Sequence, residues 1–518
     1  MRMRRTLFIV LQLGVLASRY LYSQCPDGSP PPCRIQPSRA ATAPAPTSVA
    51  VLYFDNLSRD TADAYLADGL TEELIARLGQ IERLVVKSRN AVRRYRGAAA
   101  GDPAALGRTL GVGHLVSGSV RRSASRLRVT VELVRAASGV RLWGDQYDRE
   151  DADLLAIEED IARAVATAVA GRLLPTERAT VARRPTQVPA AYERFLRGNY
   201  YLAQRSPRGV ARAIEEYEAA VNLDPGFTPA LGRIAFSYGV FLGWGWPYPG
   251  LPSESLLTRG LAAAEGALQQ NPNISDIWMA RGLLLSFRNP RTFDGVSRAL
   301  ERAIALNPRS AEAYHTYGVL LGFLGKDSAE FASLQRALAI EPERPVTLLQ
   351  LGMSSARDGR YQEARRWLDS ALAVDPGFYN AYAMRALVRV HLGEVTRARR
   401  DAENAAQLGQ SEYPLWGEAA LAFVEVRMGD TLTARARVER LLRQVVDPDH
   451  PTTRDGWWLG MALVALGQQE QALDLLERVR PFGARLRDAL RKPEFDPLRS
   501  HPRFERLVEE SRPLAAPR

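Results

Sequence analysis

The sequence predicts two architectures in series: a small α+β domain with a mixed sheet, then an all-α superhelical array of helix pairs. Three observations carry this. Between residues 48 and 174 short apolar strands alternate with amphipathic helices. From 190 to 480 strand patterns cease. Across that stretch Asp224-Pro225, Asn271-Pro272, Asn307-Pro308, Glu341-Pro342 and Asp375-Pro376 punctuate helices at spacings of 47, 36, 34 and 34. The intervening 175–189 (PTERATVARRPTQVP) is Pro-punctuated and reads as a linker.

The elements follow in order. Val49–Phe54 (VAVLYF), bounded by Asp55-Asn56, reads as a buried strand. Tyr65, Leu66, Leu70, Leu74, Ile75 and Leu78 then recur with helical period, with Asp60 as a candidate N-cap. Leu84–Lys87 reads as a strand, and Asp102–Leu110 as a short helix stopped by Gly111. A meander follows: Leu115–Arg122, Leu127–Val134 and Val140–Tyr147, turning at 123–125 and at Ser138-Gly139. In its middle strand Leu127, Val129, Val131 and Leu133 alternate with polar residues, which predicts one buried and one wet face. Leu154, Ile157, Ile161, Val165 and Val169 form the apolar stripe of a long helix stopped by Pro175.

Four motifs in this domain, Val51–Ser58 (VLYFDNLS), Tyr65–Leu74 (YLADGLTEEL), Gly118–Arg122 (GSVRR) and Leu142–Arg149 (LWGDQYDR), resemble the TolB-like amino-terminal domain. The resemblance covers about 125 residues, and departs from the family where Tyr53 replaces the usual proline and Gly144 the frequent alanine. It implies an extracytoplasmic α/β domain with no catalytic residues to carry over, of a kind that often precedes tetratricopeptide (TPR) repeats in bacterial proteins. A 34-residue period is itself the signature of those repeats. Small residues recur at matching offsets, as in Gly318/Ala337 and Gly352/Ala364/Ala371, where helices must approach closely. The stretch 190–480 accommodates about eight repeats, with insertions at Arg205-Ser206-Pro207 and at Gly243–Ser255. Residues 481–518, with Phe495 and Phe504, read as a terminal cap.

The amino terminus reads as a secretory signal over residues 1–23. Basic Met1–Arg5 precedes the apolar run Leu7–Ala17, too short to span a bilayer comfortably. An uncleaved anchor is the alternative, because V-L-A and L-Y-S are poor cleavage sites. The linker 24–47 holds both cysteines. Cys25 and Cys33 flank a Pro/Gly loop that export would allow to close as a local disulfide, the alternative being two free thiols. The net charge is +11, yet with three lysines among 69 basic residues it is arginine-dominated and dispersed among acids. That argues against a nucleic-acid footprint and predicts only weak, salt-sensitive association.

No catalytic constellation, cofactor motif or metal-ligand spacing is present: the five histidines are scattered, and no nucleotide-binding or nucleophile motif occurs. Glu72-Glu73 and Glu158-Glu159-Asp160 read as solvated helix faces. The candidate partner-binding residues instead map to the inner helices of the array. They are Asp276, Met279, Phe287, Glu312, His315, Phe323, Met353, Arg357, Asn380 and His391, whose mixed chemistry suits a peptide. Neither Phe323 nor Arg357 falls at a small-residue packing position, so replacing both is expected to leave melting unchanged. Trp244 and Trp246, in the inserted G-W-G-W-P-Y-P-G loop, form a second candidate contact, unless the loop folds back on its neighbouring hairpin. Trp278, Trp416, Trp457 and Trp458 read as core. The sequence thus predicts a non-enzymatic interaction scaffold without cofactors, exported to the periplasm or anchored facing it, with a protein or peptide partner. The alternative is a free-standing sensory component, because similar segments accompany transcription regulators, nucleotide cyclases and Ser/Thr kinases.

Overall fold

The computed structural model describes residues 45–97, 101–124, 126–150, 154–246, 248–288, 294–410, 413–445, 456–478 and 484–512. The segment expected as a signal, Cys25, Cys33 and His450 lie outside them.

Ser48–Val51 (β1) is buried at every residue because it has strands on both sides. Val85–Val86 (β3) and His114–Ser123 (β4) both pair with it in parallel, and Asp55–Asn56 (β2) extends the parallel pairing along β4. Arg126–Arg135 (β5) and Val140–Glu150 (β6) add antiparallel neighbours, giving the order β3-β1-β4-β5-β6. The expected alternation holds in β5, where Leu127, Val129, Val131 and Leu133 are buried while Arg126 and Arg128 reach Asp148 on the wet face. Ala64–Gly79 (α1) and Leu154–Ala170 (α4) share a core with Val49, Val51 and the inner face of β5. Arg89–Arg93 (α2) and Pro103–Leu110 (α3) contribute Val92 and Leu110 to a second core with Ala50 and Leu115.

The stretch expected as a linker is ordered. Pro175–Ala182 (α5) is helical, and the buried Arg77 guanidinium of α1 donates to the carbonyls of Val181 and Arg183. Glu158, expected on a solvated face, is fully buried: Arg77 pairs with it, and Tyr192 donates to it across the junction with the array. Burial pushes its carboxyl up to about 8. Gly69 completes the contact, since a Cβ there would lie 3.1 Å from Leu196. The small domain, the first two helix pairs and the first helix of the third pair (Ser275–Arg288) consequently share one continuous apolar core, and the described residues fall in one compact unit.

Eight helix pairs follow among the described residues: Pro189–Leu202 with Pro207–Leu223 (α6, α7), Thr228–Trp244 with Ser253–Gln270 (α8, α9), Ser275–Arg288 with Asp294–Leu306 (α10, α11), Ala311–Phe323 with Asp327–Ile340 (α12, α13), Pro345–Arg357 with Tyr361–Val374 (α14, α15), Tyr379–His391 with Val395–Gly409 (α16, α17), Leu415–Arg427 with Thr431–Val445 (α18, α19) and Gly456–Ala465 with Gln469–Arg478 (α20, α21). This is tetratricopeptide architecture. The Asx-Pro stops work through the side chain: the Oδ1 atoms of Asp224, Asn271, Asn307 and Asp375 each accept the amide two residues on, at 3.0 Å. Within a pair, glycine admits its partner helix. A Cβ at Gly318 or Gly352 would fall 2.8 Å from Leu334 or Leu368. After α21 come Ala484–Leu490 (α22), a 3₁₀ turn at Pro493–Leu498 and Pro502–Glu510 (α23), in the region expected as a cap.

Candidate functional site

The first helices of pairs two to five turn one side inward. Helical spacing sets Phe236 and Val240 of α8, Leu283 and Phe287 of α10, His315, Val319 and Phe323 of α12, and Leu349 and Met353 of α14 along a single cavity of about 190 Å³. The far wall comes from distant sequence: Trp416 of α18, Trp457 of α20, then Asp488, Ala489 and Lys492.

The array therefore curls until pair two meets pair seven. Trp244, at the end of α8, lies 5.8 Å between ring centroids from Trp416 of pair seven and 6.5 Å from Phe378 beside pair six. The terminal segment is pinned to the inner helices by charge. Arg357 donates to Glu330 at 2.7 Å and to Asp488 at 2.6 Å, Arg491 donates to both oxygens of Asp327, and Arg487 donates to the Leu324 carbonyl. His391 meets Glu494 at 3.0 Å and stacks on Tyr361. Phe495, Leu498, Phe504 and Leu507 bury themselves in the same core as α20 and α21. On the other side, Asn90 donates to Glu341 and Arg94 to Glu343, tying α2 of the small domain to the end of pair four.

Of the residues expected to face a partner, six line the cavity: Trp244, Phe287, Glu312, His315, Phe323 and Met353. The others do not. Asp276 is exposed at the start of α10, away from the cavity. Met279 is core, packed with Val296, Leu300 and Leu320. Arg357 is buried in the ion-pair network, which overturns the expectation that it bears no structural load. Asn380 is buried beside a neighbouring cavity with Arg344 and Phe378. His391 is engaged by Glu494. Trp246 is buried edge-on against Phe241, so the inserted loop folds inward.

Electrostatics concentrate at one end of the cavity. Burial disfavours the Glu312 carboxylate, but Arg344, which pairs with it, and Arg205 hold it down to about 2. His315 is held down to about 3 by burial and by the Arg344 charge, so its ring is neutral and bonds Thr347 Oγ1 through Nδ1 at 3.1 Å. Sequence reasoning missed Arg205, Lys492 and Asp488 as wall residues. The insertion at 205–207 was visible, but not the inward placement of its arginine. Among the described residues no group of three or more His, Cys, Asp or Glu side chains is arranged to hold a metal ion.

No family model matches the chain. Over 187 residues, 36% of the chain, it is 33% identical to "Putative adenylate cyclase 3" of Rhizobium meliloti (strain 1021), and the match spans 32% of that protein. Over 102 residues, 20% of the chain, it is 28% identical to tetratricopeptide repeat protein 7B of Homo sapiens, covering 12% of it. The chain thus spans a third or less of the curated relatives it matches. Among solved structures it is similar to yeast Tom70, with a TM-score of 0.39 and 13% identity, over 70% of this chain and 82% of that one. The fold rests on the helix pairing itself: a small mixed-sheet domain joined to a tetratricopeptide-type array.

Proposed function

We propose that the chain is a non-enzymatic interaction scaffold of the bacterial cell envelope, holding a protein or peptide partner on the concave side of its array. The observation that carries this reading is the cavity walled by inner helices of four successive pairs, where apolar side chains flank Glu312 and His315. Such a wall supplies apolar anchors and polar orientation together. The four motifs between Val51 and Arg149 support a TolB-like domain offering a second contact. Leu7–Ala17 and the Cys25/Cys33 pair support export, with the chain soluble in the periplasm or anchored facing it. Affinity capture from fractionated cells tests the reading. One envelope protein is expected with the wild-type chain, lost from a Phe323→Ala/Met353→Ala variant. A cytoplasmic pool that still begins at Met1 contradicts the envelope assignment, and a partner indifferent to both substitutions contradicts the concave contact.

A second reading is favoured by the 33% identity to the cyclase-named protein. In it the chain is the sensory part of a signalling system and docks on a membrane cyclase or kinase. Recovery of such an enzyme in the same capture selects this reading.

A further inference from the structure

The first helices of pairs four, five and six end at Phe323, Arg357 and His391, each 34 residues after the last, so the repeat sets three equivalent helix ends side by side. One segment of the terminal region touches all three. Arg487 donates to the Leu324 carbonyl just past α12, Asp488 accepts from Arg357 at 2.6 Å, and Glu494 meets His391 at 3.0 Å. Arg491, one helical turn beyond Arg487, donates to both oxygens of Asp327 at 3.0 and 2.7 Å. Leu486, Ala489 and Leu490 of the same segment are buried. A helix C-terminus carries partial negative charge, which suits the cation placed at the end of α12. A short amphipathic helix from another protein is read in this way, with apolar anchors on one side and charge pairs fixing its register.

Three features let this contact open. The helix Ala484–Leu490 (α22) has 7 residues. That is well below the roughly 12 at which an isolated helix becomes marginal in water, so α22 is helical only while docked. The surface beneath keeps its charges paired without it, because Arg357 also donates to Glu330 at 2.7 Å and to Asp327 at 3.2 Å. Just beyond the segment, Phe495 and Leu498 are fully buried and hold the chain in the core it shares with α20 and α21. Tethering there gives the segment a high local concentration, so it fills its site until a competitor of the same chemistry displaces it. We propose that residues 484–494 are a built-in competitor. They cover a docking strip, made by the ends of α12, α14 and α16 with Asp327, for a short helix of a partner protein that carries an acid and two arginines at the spacing of Asp488, Arg487 and Arg491. The proposal deepens the scaffold reading and rests on it.

Two measurements on the full chain test it. In amide hydrogen exchange of the wild type, residues 484–494 are expected to open about tenfold or more often than α20. Opening in step with α20 overturns a releasable segment. The second probe is a labelled synthetic peptide of residues 484–498 (ARLRDALRKPEFDPL), followed by fluorescence anisotropy. It is expected to bind an Asp488→Asn/Arg491→Gln variant, whose own segment is loosened, about tenfold or more tightly than the wild type. Adding Asp327→Asn is expected to remove that gain. Equal binding to the wild type and the folded variant overturns the competition, and binding to neither overturns the strip. A peptide with Asp488 and Arg491 exchanged that binds as tightly overturns the charge register. A variant that dimerises in light scattering, reversed by the peptide, gives the strip to a second copy and overturns a foreign partner. A cellular partner captured equally by the wild type and this variant leaves the scaffold reading standing and overturns the built-in competitor alone.

Discussion

Arg357 brings a charge into the interior because carboxylates meet it there. Glu330 is 1% exposed and depends on that guanidinium, so removing the cation strands a buried anion. Arg357→Met is expected to cost about 3–5 kcal/mol in urea unfolding. Phe323→Ala, at the half-buried cavity wall, is expected to cost less than the roughly 3–5 kcal/mol of a fully buried phenylalanine. His315 gives a pH signature. Its folded value lies near 3, against about 6.5 for a free histidine. The unfolded chain therefore takes up a proton that the folded chain refuses, and stability falls as pH drops from about 6.5 toward 3. His315→Gln is expected to flatten that limb in denaturant midpoints measured across this window; an unchanged slope contradicts a neutral buried ring. The inner-face position of Arg357 was legible from its place in the repeat. Its partner Asp488 was not, because it lies 131 residues further on and periodicity says nothing about where an array returns to itself.

Within each pair the glycines divide by what they face. Gly352 lies against Leu368, so Gly352→Ala is expected to cost about 1–3 kcal/mol through overpacking. Gly359, in the following turn, has φ +74° and open space within 4 Å of where a methyl carbon would stand, so Gly359→Ala should cost only the roughly 1–2 kcal/mol of left-handed backbone. Thermal or urea unfolding of the two variants separates the mechanisms: a second-site Leu368→Ala is expected to rescue part of the first loss and none of the second. This level was the most readable. The 34-residue period, the Asx-Pro stops and the alternation in β5 are local signals, and the structure realises each with local hydrogen bonds and close contacts. The segment 175–189 failed locally for the converse reason. Its prolines suggest a linker, but Pro175 starts a helix and Arg77, about a hundred residues earlier, orders the carbonyls that follow.

At the scale of the whole molecule, the small domain and the array hold each other. The sequence suggests fragments that part at 175–189, whereas Arg77, Glu158 and Tyr192 bind across that boundary. Limited proteolysis is expected to spare this stretch until the chain unfolds as a unit; early release of a stable array would contradict the shared core. Long-range closure is what repeat offsets could not disclose. The inserted tryptophan loop reaches pairs six and seven, and the terminal segment walls the cavity that the inner helices open. The cavity depends on that segment docking on the concave side. A double-mutant cycle on Arg357 and Asp488 reads the docking contact itself, with Arg357→Met, Asp488→Asn and the pair together compared in urea unfolding. Docking predicts a coupling energy of about 1–3 kcal/mol. Strict additivity, with coupling near zero, would show that the two residues do not meet and that the concave side stands open.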